Sequence, residues 1–260
     1  MTSDLLRLTV LGSATPYPDV DNACSGYLVA GGGARVWVDA GTGTLAQLRR
    51  HVRLDELDAI WISHLHADHT ADLLTAYYGA LYADVRLPAP IPLFGPPGIA
   101  DRLADFLTNT ATRSPVESAF AVRELYDGHS ARVGALTLTS RSVAHGVPAF
   151  AVRIEGGGDA GSGSLVYSGD TAPCAALTAL ARGCDLLLCE ADSAQAPTAG
   201  EQVHHTPEDA GDTASTARVG RLVLTHVGPS LTPEQAVSRA AGRYRGPVEY
   251  AAPGAVFVVR

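Results

Sequence analysis

Short apolar runs and segments with helical spacing alternate along most of this 260-residue chain. Runs rich in Leu, Val, Ile and Trp, bounded by Gly or Pro, predict β-strands in the first part of the chain over 5–12, 26–30, 34–41 and 57–64. Apolar residues spaced three and four apart predict helices over 42–52 and 70–84.

The same alternation continues to the end of the chain. A strand and a helix are predicted within 88–110, further strands over 135–145, 149–156, 164–170, 185–191, 221–226, 248–252 and 255–259, and helices over 174–183, 206–220 and 232–244. Thr206, with Pro207 after it, is the predicted N-cap of its helix. The glycine-rich stretch 156–164 has no helix after it, so a flexible hairpin fits it better than a phosphate-binding loop. The pattern predicts one α/β domain over residues 1–260, with sheets inside and helices outside.

Composition narrows the classes of function. The formal net charge of −8 argues against a long basic track for nucleic acid. Four cysteines without a CxxC pair indicate free thiols in a reducing compartment. No apolar run reaches the roughly 18 residues of a membrane span, and no signal-peptide pattern opens the chain. We therefore expect a cytoplasmic protein with a small-molecule substrate. A homodimer is compatible with the sequence.

The densest chemistry lies in the heptad SHLHADH at 63–69. Side chains at i and i+2 of a strand end point the same way, so His64 and His66 can converge on one point. Asp68 and His69 are expected where the chain turns into the helix near Thr70, and can aim at a second point. Asp68 alone could be a helix N-cap, but three histidines within six residues would repel one another if protonated. The heptad therefore predicts a divalent-metal site.

Further ligands must come from distant parts of the chain. His145, Asp170 and His226 each end a predicted strand. Each alone is a weak signal, since Asp and His are common at turns. Together they complete two nitrogen-and-oxygen sites without any cysteine.

These residues resemble the motifs of the metallo-β-lactamase superfamily, in order and over nearly the whole chain. The heptad, VDAGTG at 38–43, His145, YSGD at 167–170 and LTH at 224–226 carry the resemblance. It implies an αββα sandwich with two mixed sheets inside, and two divalent ions, zinc by default with manganese or iron as alternatives. It assigns His64, His66 and His145 to one ion, Asp68, His69 and His226 to the other, and Asp170 to a bridge between them. Asp39 would fix the loop under His64 and His66.

Other segments are similar to the ribonuclease Z and cyclic-nucleotide phosphodiesterase branch of that superfamily. They are VLGSATPYP at 10–18, CEADSAQAPTAGEQVHHTPEDAG at 189–211 and LTHVGP at 224–229, and SGYLV at 25–29 with LARGCDLLLCEA at 180–191 resembles actinobacterial cyclic-nucleotide phosphodiesterases of atypical class II. The branch implies that His204 donates a proton or a hydrogen bond to the phosphate or leaving group and that Glu190 orients it. As a hypothesis for the mechanism, Asp68 accepts a hydrogen bond from the nucleophile and serves as a base. His205 could take the place of His204.

The resemblance predicts a phosphodiesterase for a small cyclic nucleotide or related diester. A thioesterase or lactonase remains an alternative, although it would not need Glu190 and His204. A ribonuclease Z-like tRNA endonuclease is a further alternative, but the short interval between His145 and Asp170 leaves no room for a tRNA-clamping arm. A non-catalytic metal-binding domain fits a complete ligand set least well. The 17–22 loop, the 80–130 segment and the VGPSL loop at 227–231 are expected to shape the pocket.

Overall fold

The computed structural model describes residues 5–83, 87–156 and 163–260. In it an eight-stranded β-sheet faces a seven-stranded β-sheet. The first sheet runs in the order β15-β1-β3-β4-β5-β6-β7, with β2 paired to β1. Its strands are β1 (Arg7–Ala14), β2 (Ala23–Cys24), β3 (Gly26–Gly31), β4 (Ala34–Ala40), β5 (Ala59–Trp61), β6 (Ile91–Gly95), β7 (Phe120–Glu124) and β15 (Val256–Val258). The strands β4 to β7 are parallel, and β1, β3 and β4 are antiparallel neighbours.

The second sheet has the order β14-β13-β12-β11-β10-β9-β8. Its strands are β8 (Ser130–Val133), β9 (Leu136–Val143), β10 (Ala149–Gly156), β11 (Gly163–Tyr167), β12 (Leu186–Ala191), β13 (Leu222–Val227) and β14 (Val248–Tyr250). The strands β11 to β14 are parallel, and β10 is antiparallel to both β9 and β11. The carboxyl ends of β9, β11, β12 and β13 therefore lie along one edge of this sheet.

Helices cover the outer faces of both sheets. The helices α1 (Thr44–Leu48), α2 (Ala67–Thr70), α3 (Asp72–Tyr82) and α4 (Ile99–Leu107) follow strands of the first sheet, and α5 (Ala175–Leu180), α6 (Pro207–Ala217) and α7 (Pro233–Ala241) follow strands of the second. Short 3-10 turns occupy Leu54–Glu56 and Val116–Ser118. Thr206 caps α6 by accepting a hydrogen bond from the Asp209 amide, with Pro207 in the first turn, as the sequence predicts.

Alternation along the strands builds the layers, because successive strand residues point to opposite faces. Leu8, Val36 and Val38 of the first sheet pack with Val152 and Leu188 of the second in a central core. On the outer face of the first sheet, the neighbouring strand positions pack against α3 and α4. A third buried cluster lies between the second sheet and the helices α5 to α7. This arrangement is the predicted αββα sandwich with mixed sheets.

Some element boundaries differ from the prediction. The strand predicted to reach His64 ends at Trp61, and the helix predicted to begin near Thr70 begins at Ala67. The strands β7 and β8 were not predicted, because their exposed residues break the apolar pattern. The predicted hairpin is flanked by the antiparallel pair Gly156 and Gly163, and its residues 157–162 lie outside the described part of the chain.

Two expectations from composition can be compared with the described residues. All four cysteines are free thiols, and Cys24, Cys184 and Cys189 are buried while Cys174 is partly exposed. Among the helices that the structure describes, none has both the length and the apolar character needed to cross a bilayer.

Candidate active site

The heptad forms the passage from the first sheet to its outer helices. The amide of Ile62 donates to the Phe94 carbonyl oxygen at 2.8 Å, and the chain then leaves the sheet. His66 has extended backbone and stands as the N-cap residue of α2, which places Asp68 and His69 in the first helical turn. Both side chains are buried there. His64 and His66 therefore lie in a loop rather than in a strand, and Asp68 and His69 project from a helix rather than from a turn.

Three histidines converge beside this loop and form what we call the first cluster: His64, His66 and His145. His64 Nε2 lies 3.0 Å from His66 Nδ1, and His145 Nε2 lies 3.2 Å from the same atom. His145 comes from the second sheet, just beyond the end of β9. One ligand atom from each of the three lies within 4.8 Å of the other two, the separation that a single metal ion requires.

Four further groups form the second cluster: Asp68, His69, Asp170 and His226. Asp170 Oδ2 lies 3.3 Å from Nε2 of both His69 and His226, and Asp68 Oδ2 lies 3.4 Å from His69 Nε2. The same Asp170 oxygen lies 3.7 Å from His64 Nε2 and 3.9 Å from His145 Nε2. Asp170 therefore stands between the two clusters, and the structure brings together all seven residues predicted as metal ligands.

Most of these histidines are oriented by a contact on the ring nitrogen that faces away from the centre of the clusters. Four of them engage a protein oxygen through Nδ1, which turns Nε2 toward the centre: His64 with Ser63 Oγ (3.0 Å), His69 with Asp39 Oδ2 (2.7 Å), His145 with the Val203 carbonyl oxygen (2.9 Å) and His226 with Ser25 Oγ (2.9 Å). Such partners fix ring orientation and tautomer in metal sites. The partly exposed His66 differs, since its Nδ1 is the atom that faces its neighbours.

Asp39 supports the heptad more directly than its predicted place under His64 and His66 indicated. Its carboxylate accepts hydrogen bonds from the amide and hydroxyl of Ser63, each at 2.7 Å, from His69 Nδ1–H and from the Tyr167 hydroxyl at 2.8 Å. Asp39 thus ties the loop to His69. Asp39 and His226 also have left-handed backbone, with φ of 54° and 46°. Such angles are uncommon for non-glycine residues, and Asp and His are among the residues that adopt them most often.

A β-bulge directs His226 into the centre. Glu190 pairs with Thr225 across β12 and β13, but Ala191 pairs with Val227, so His226 is the extra residue. A bulge of this kind re-aims a side chain at a sheet edge.

The electrostatics of the clusters fit divalent metal ions. Burial lowers the pKa of His64, His145 and His226, which keeps their imidazoles neutral. Burial raises the pKa of Asp170, but His226 and His69 outweigh it and hold that pKa well below its usual range. His69 Nε2 and Asp170 Oδ1 are buried without a hydrogen-bond partner among the described residues. Buried polar atoms normally have partners, so these two suit metal coordination.

A pair of side chains, His204 and Glu190, lies against the clusters. His204 Nδ1 lies 2.9 Å from Glu190 Oε1 and 4.0 Å from Asp170 Oδ2. Glu190 is fully buried at the end of β12, and its two oxygens also accept hydrogen bonds from the backbone amides of Thr171 and Asp192. The structure therefore places both predicted partners side by side, next to the metal-ligand residues.

The pKa values of the pair favour the proton on His204 rather than on Glu190. Burial raises the pKa of Glu190 to about 7, against the lowering effect of His204. Burial lowers the pKa of His204, but Glu190 and Asp170 outweigh it and raise the pKa to about 9. At neutral pH His204 thus carries a proton, with Nδ1–H held by Glu190 and Nε2–H available to a ligand.

His205 points away from this centre. It is fully buried, its Nδ1 lies 2.6 Å from the Thr171 carbonyl oxygen, and its Nε2 lies 3.2 Å from Thr213 Oγ1. Both ring nitrogens are engaged by the fold. Of the two adjacent histidines, His204 is the one beside the clusters.

Sequence reasoning missed several supporting groups. Ser25 and the Val203 carbonyl oxygen orient two histidines, and Thr15 Oγ1, just beyond β1, donates to Asp192 Oδ1, just beyond β12, at 2.7 Å. Serines, threonines and carbonyl groups carry no pattern of their own, so only the fold reveals these contacts. Tyr167, whose hydroxyl donates to Asp39, lies in the YSGD segment at 167–170.

Comparison with known proteins agrees with the fold. A family model described as a β-lactamase superfamily domain matches residues 34–227. An uncharacterised protein of Mycobacterium tuberculosis is 35% identical over 98% of this chain and 93% of its own. A ribonuclease Z of Mycobacterium bovis is 31% identical over 94% of this chain and 95% of its own.

A solved structure shows the same architecture. The metallo-β-lactamase fold protein YhfI from Bacillus subtilis superposes with a TM-score of 0.82 and 25% identity, over 98% of this chain and 99% of that one. The family model, the relatives and the shared fold lead to one assignment. The chain belongs to the metallo-β-lactamase superfamily, in the branch that contains ribonuclease Z.

Proposed function

We propose that the protein is a dinuclear metal-dependent phosphodiesterase that hydrolyses a small phosphodiester such as a cyclic nucleotide. Its first cluster would hold one divalent ion and its second cluster another, with Asp170 reaching both. Zinc is the default for this mixture of imidazole and carboxylate ligands, and manganese or iron are alternatives. When bound, such ions lower the pKa of a water molecule to near neutrality and neutralise charge on phosphoryl oxygens.

The observation that carries the proposal is the His204–Glu190 pair at the edge of the clusters. Phosphodiester cleavage expels an alkoxide, a strong base that needs a proton. His204 Nε2–H can supply it, because Glu190 holds the ring through Nδ1 and favours the protonated form. Asp68, with its Oδ2 at the second cluster, can accept the proton of the attacking water. The buried Glu190 would orient the ring and stabilise its charge.

The relative named ribonuclease Z supports phosphodiester chemistry, since a ribonuclease cleaves phosphodiesters. The acidic net charge of −8 supports a small substrate rather than a long nucleic acid. A thioesterase or lactonase would also use the metal clusters. A thioesterase would have less use for a charged His204, because its leaving group is a weakly basic thiolate.

The test is a substrate panel on protein loaded with zinc, manganese or iron. The panel contains 3′,5′-cyclic AMP, a 2′,3′-cyclic nucleotide, bis(4-nitrophenyl) phosphate, an aryl thioester, a lactone and a precursor tRNA. We expect metal-dependent hydrolysis of the small diesters that chelator abolishes and metal restores. Preferred turnover of the thioester or lactone, or of the precursor tRNA, would contradict the proposal. Elemental analysis of the same preparations, with His66→Ala as a matched variant, measures how many ions are bound.

A further inference from the structure

A cavity lies beside the candidate active site, at the carboxyl end of β13. Its volume is about 370 Å³, within the range of small-molecule sites. Two loops enclose it, the one after β1 and the one after His226. We call it the Tyr17 cavity, and its lining residues include Ser13, Thr15, Tyr17, Asn22, Leu231 and Tyr250.

Covalent and hydrogen-bonded neighbours join this cavity to the catalytic groups. Val227 and Gly228 line it and directly follow His226 in the chain. On the other side, Thr15 Oγ1 donates to Asp192 Oδ1 at 2.7 Å, and the Asp192 amide donates to Glu190 Oε2 at 3.0 Å. The cavity lining is therefore adjacent in the chain to His226 of the second cluster, and Asp192 links it through hydrogen bonds to Glu190.

The lining suits an uncharged ring system with polar edges. Tyr17 stands at the rim with 64% of its surface exposed, which leaves its ring available for stacking. Leu231 adds an apolar wall opposite the loop that carries Tyr17. The Tyr250 hydroxyl lies 3.0 Å from Ser13 Oγ and 3.5 Å from Asn22 Nδ2, so hydroxyl and amide groups meet on one side of the cavity.

The charge of the lining disfavours a phosphate in this cavity. Among the described residues that line it there is no Arg, Lys or His, and Asp19 is the one carboxylic acid. A different groove on the molecule is lined by Arg123, Arg132 and His129, the type of lining that an anion needs. The neutral cavity beside the metal clusters is suited to the uncharged part of a substrate whose phosphate lies on the metals.

We propose that the Tyr17 cavity binds the nucleoside portion of the phosphodiester, with the base stacked on Tyr17 and its edge facing Ser13, Asn22 and Tyr250. This inference rests on the proposed phosphodiesterase function and names the substrate class that the site selects. Base stacking on an aromatic side chain is tolerant of base identity. The cavity thus selects nucleoside diesters over alkyl diesters without requiring one base.

The experiment is a calorimetric titration of the metal-loaded protein with adenosine, which needs no turnover. We expect saturable binding, and at least a tenfold weaker affinity in Tyr17→Ala and in Leu231→Trp, which fills the cavity. Tyr126→Ala is the matched control, since Tyr126 is 63% exposed and lies outside this cavity. Its adenosine affinity should equal that of the wild type. The affinity for inorganic phosphate should stay within twofold in all three variants.

The outcomes separate this inference from the proposed function. Absence of adenosine binding, or equal affinity in the wild type, Tyr17→Ala and Leu231→Trp, overturns the cavity assignment even if phosphodiesters are hydrolysed. Adenosine binding that depends on Tyr17 and Leu231 supports the assignment even if the substrate panel shows no diester hydrolysis. Thermal unfolding of Leu231→Trp verifies that this variant is folded, and Tyr17→Ala decides the matter alone if it is not.

Discussion

The two sheets contribute to the candidate site in different ways. The first sheet supplies four ligand residues from one loop and helix start within a single heptad: His64, His66, Asp68 and His69. The second sheet supplies its groups one at a time, from the ends of several strands or the loops after them: His145, Asp170, Glu190, His204 and His226. One half of the site is local in sequence, and the other half exists only once the sheet has formed.

This difference predicts where the site is robust. A local heptad keeps its own spacing, whereas the second sheet must align three strands, β11 to β13, and a bulge before His226 and Asp170 meet. The groups from the second sheet therefore depend more on correct folding than the heptad does. Substitutions there should separate into those that remove a ligand, a proton donor or only structural support.

The largest effect is expected at Asp170, where the two halves meet. Its Oδ2 lies within 4.0 Å of ring nitrogens from both clusters, so Asp170→Asn should lower the content of both ions and reduce turnover to the level of the chelated protein. His66→Ala, in the first cluster alone, should lower metal content by less. Elemental analysis and turnover measure both, with the exposed Asp101→Asn as control. Full metal content in Asp170→Asn would show that Asp170 is not shared between the clusters.

The next effect concerns the proton donor. His204→Ala should lower turnover of a cyclic nucleotide by about 10²- to 10⁴-fold, because the alkoxide then leaves without a proton. Turnover of bis(4-nitrophenyl) phosphate should fall far less, since its leaving group is weakly basic. Metal content should not change. An equal loss for both substrates would assign His204 a role in binding or structure instead of proton donation.

Much of the fold and of the candidate site could be predicted from the sequence, but some parts could be predicted better than others. The heptad could be recognised because four ligand-type residues fall within seven consecutive positions, and the predicted strand ends made His145, Asp170 and His226 candidates. The boundary at Ala67 was not readable, since ADHT contains no apolar repeat from which a helix start could be recognised. The contact between Thr15 and Asp192 was not readable either, because it joins two loops through the assembled sandwich.

A smaller effect should separate His205 from its neighbour. Burial lowers the pKa of His205, so the ring is neutral, and both its nitrogens hold the fold through Thr171 and Thr213. His205→Ala leaves a buried carbonyl oxygen without its partner and should cost about 1–3 kcal/mol of unfolding free energy. Denaturant unfolding measures this loss. Turnover per folded molecule should change far less than in His204→Ala, and the opposite ranking would exchange the two roles.

The smallest effect tests whether the N-cap of a helix beside His204 affects turnover as well as stability. Both α6 and α7 begin with Thr-Pro, and in each helix the threonine accepts a hydrogen bond from the third residue of the helix, Asp209 for Thr206 and Gln235 for Thr232. Thr206→Ala and Thr232→Ala should each lower the unfolding free energy by about 1 kcal/mol, because the same capping bond is lost. Only Thr206 adjoins the segment that carries His204. Its loss should therefore also lower cyclic-nucleotide turnover several-fold, measured beside bis(4-nitrophenyl) phosphate, while Thr232→Ala leaves the ratio of the two rates unchanged. Equal ratios in both variants would mean that the start of α6 supports the fold but is not needed to position the proposed proton donor His204.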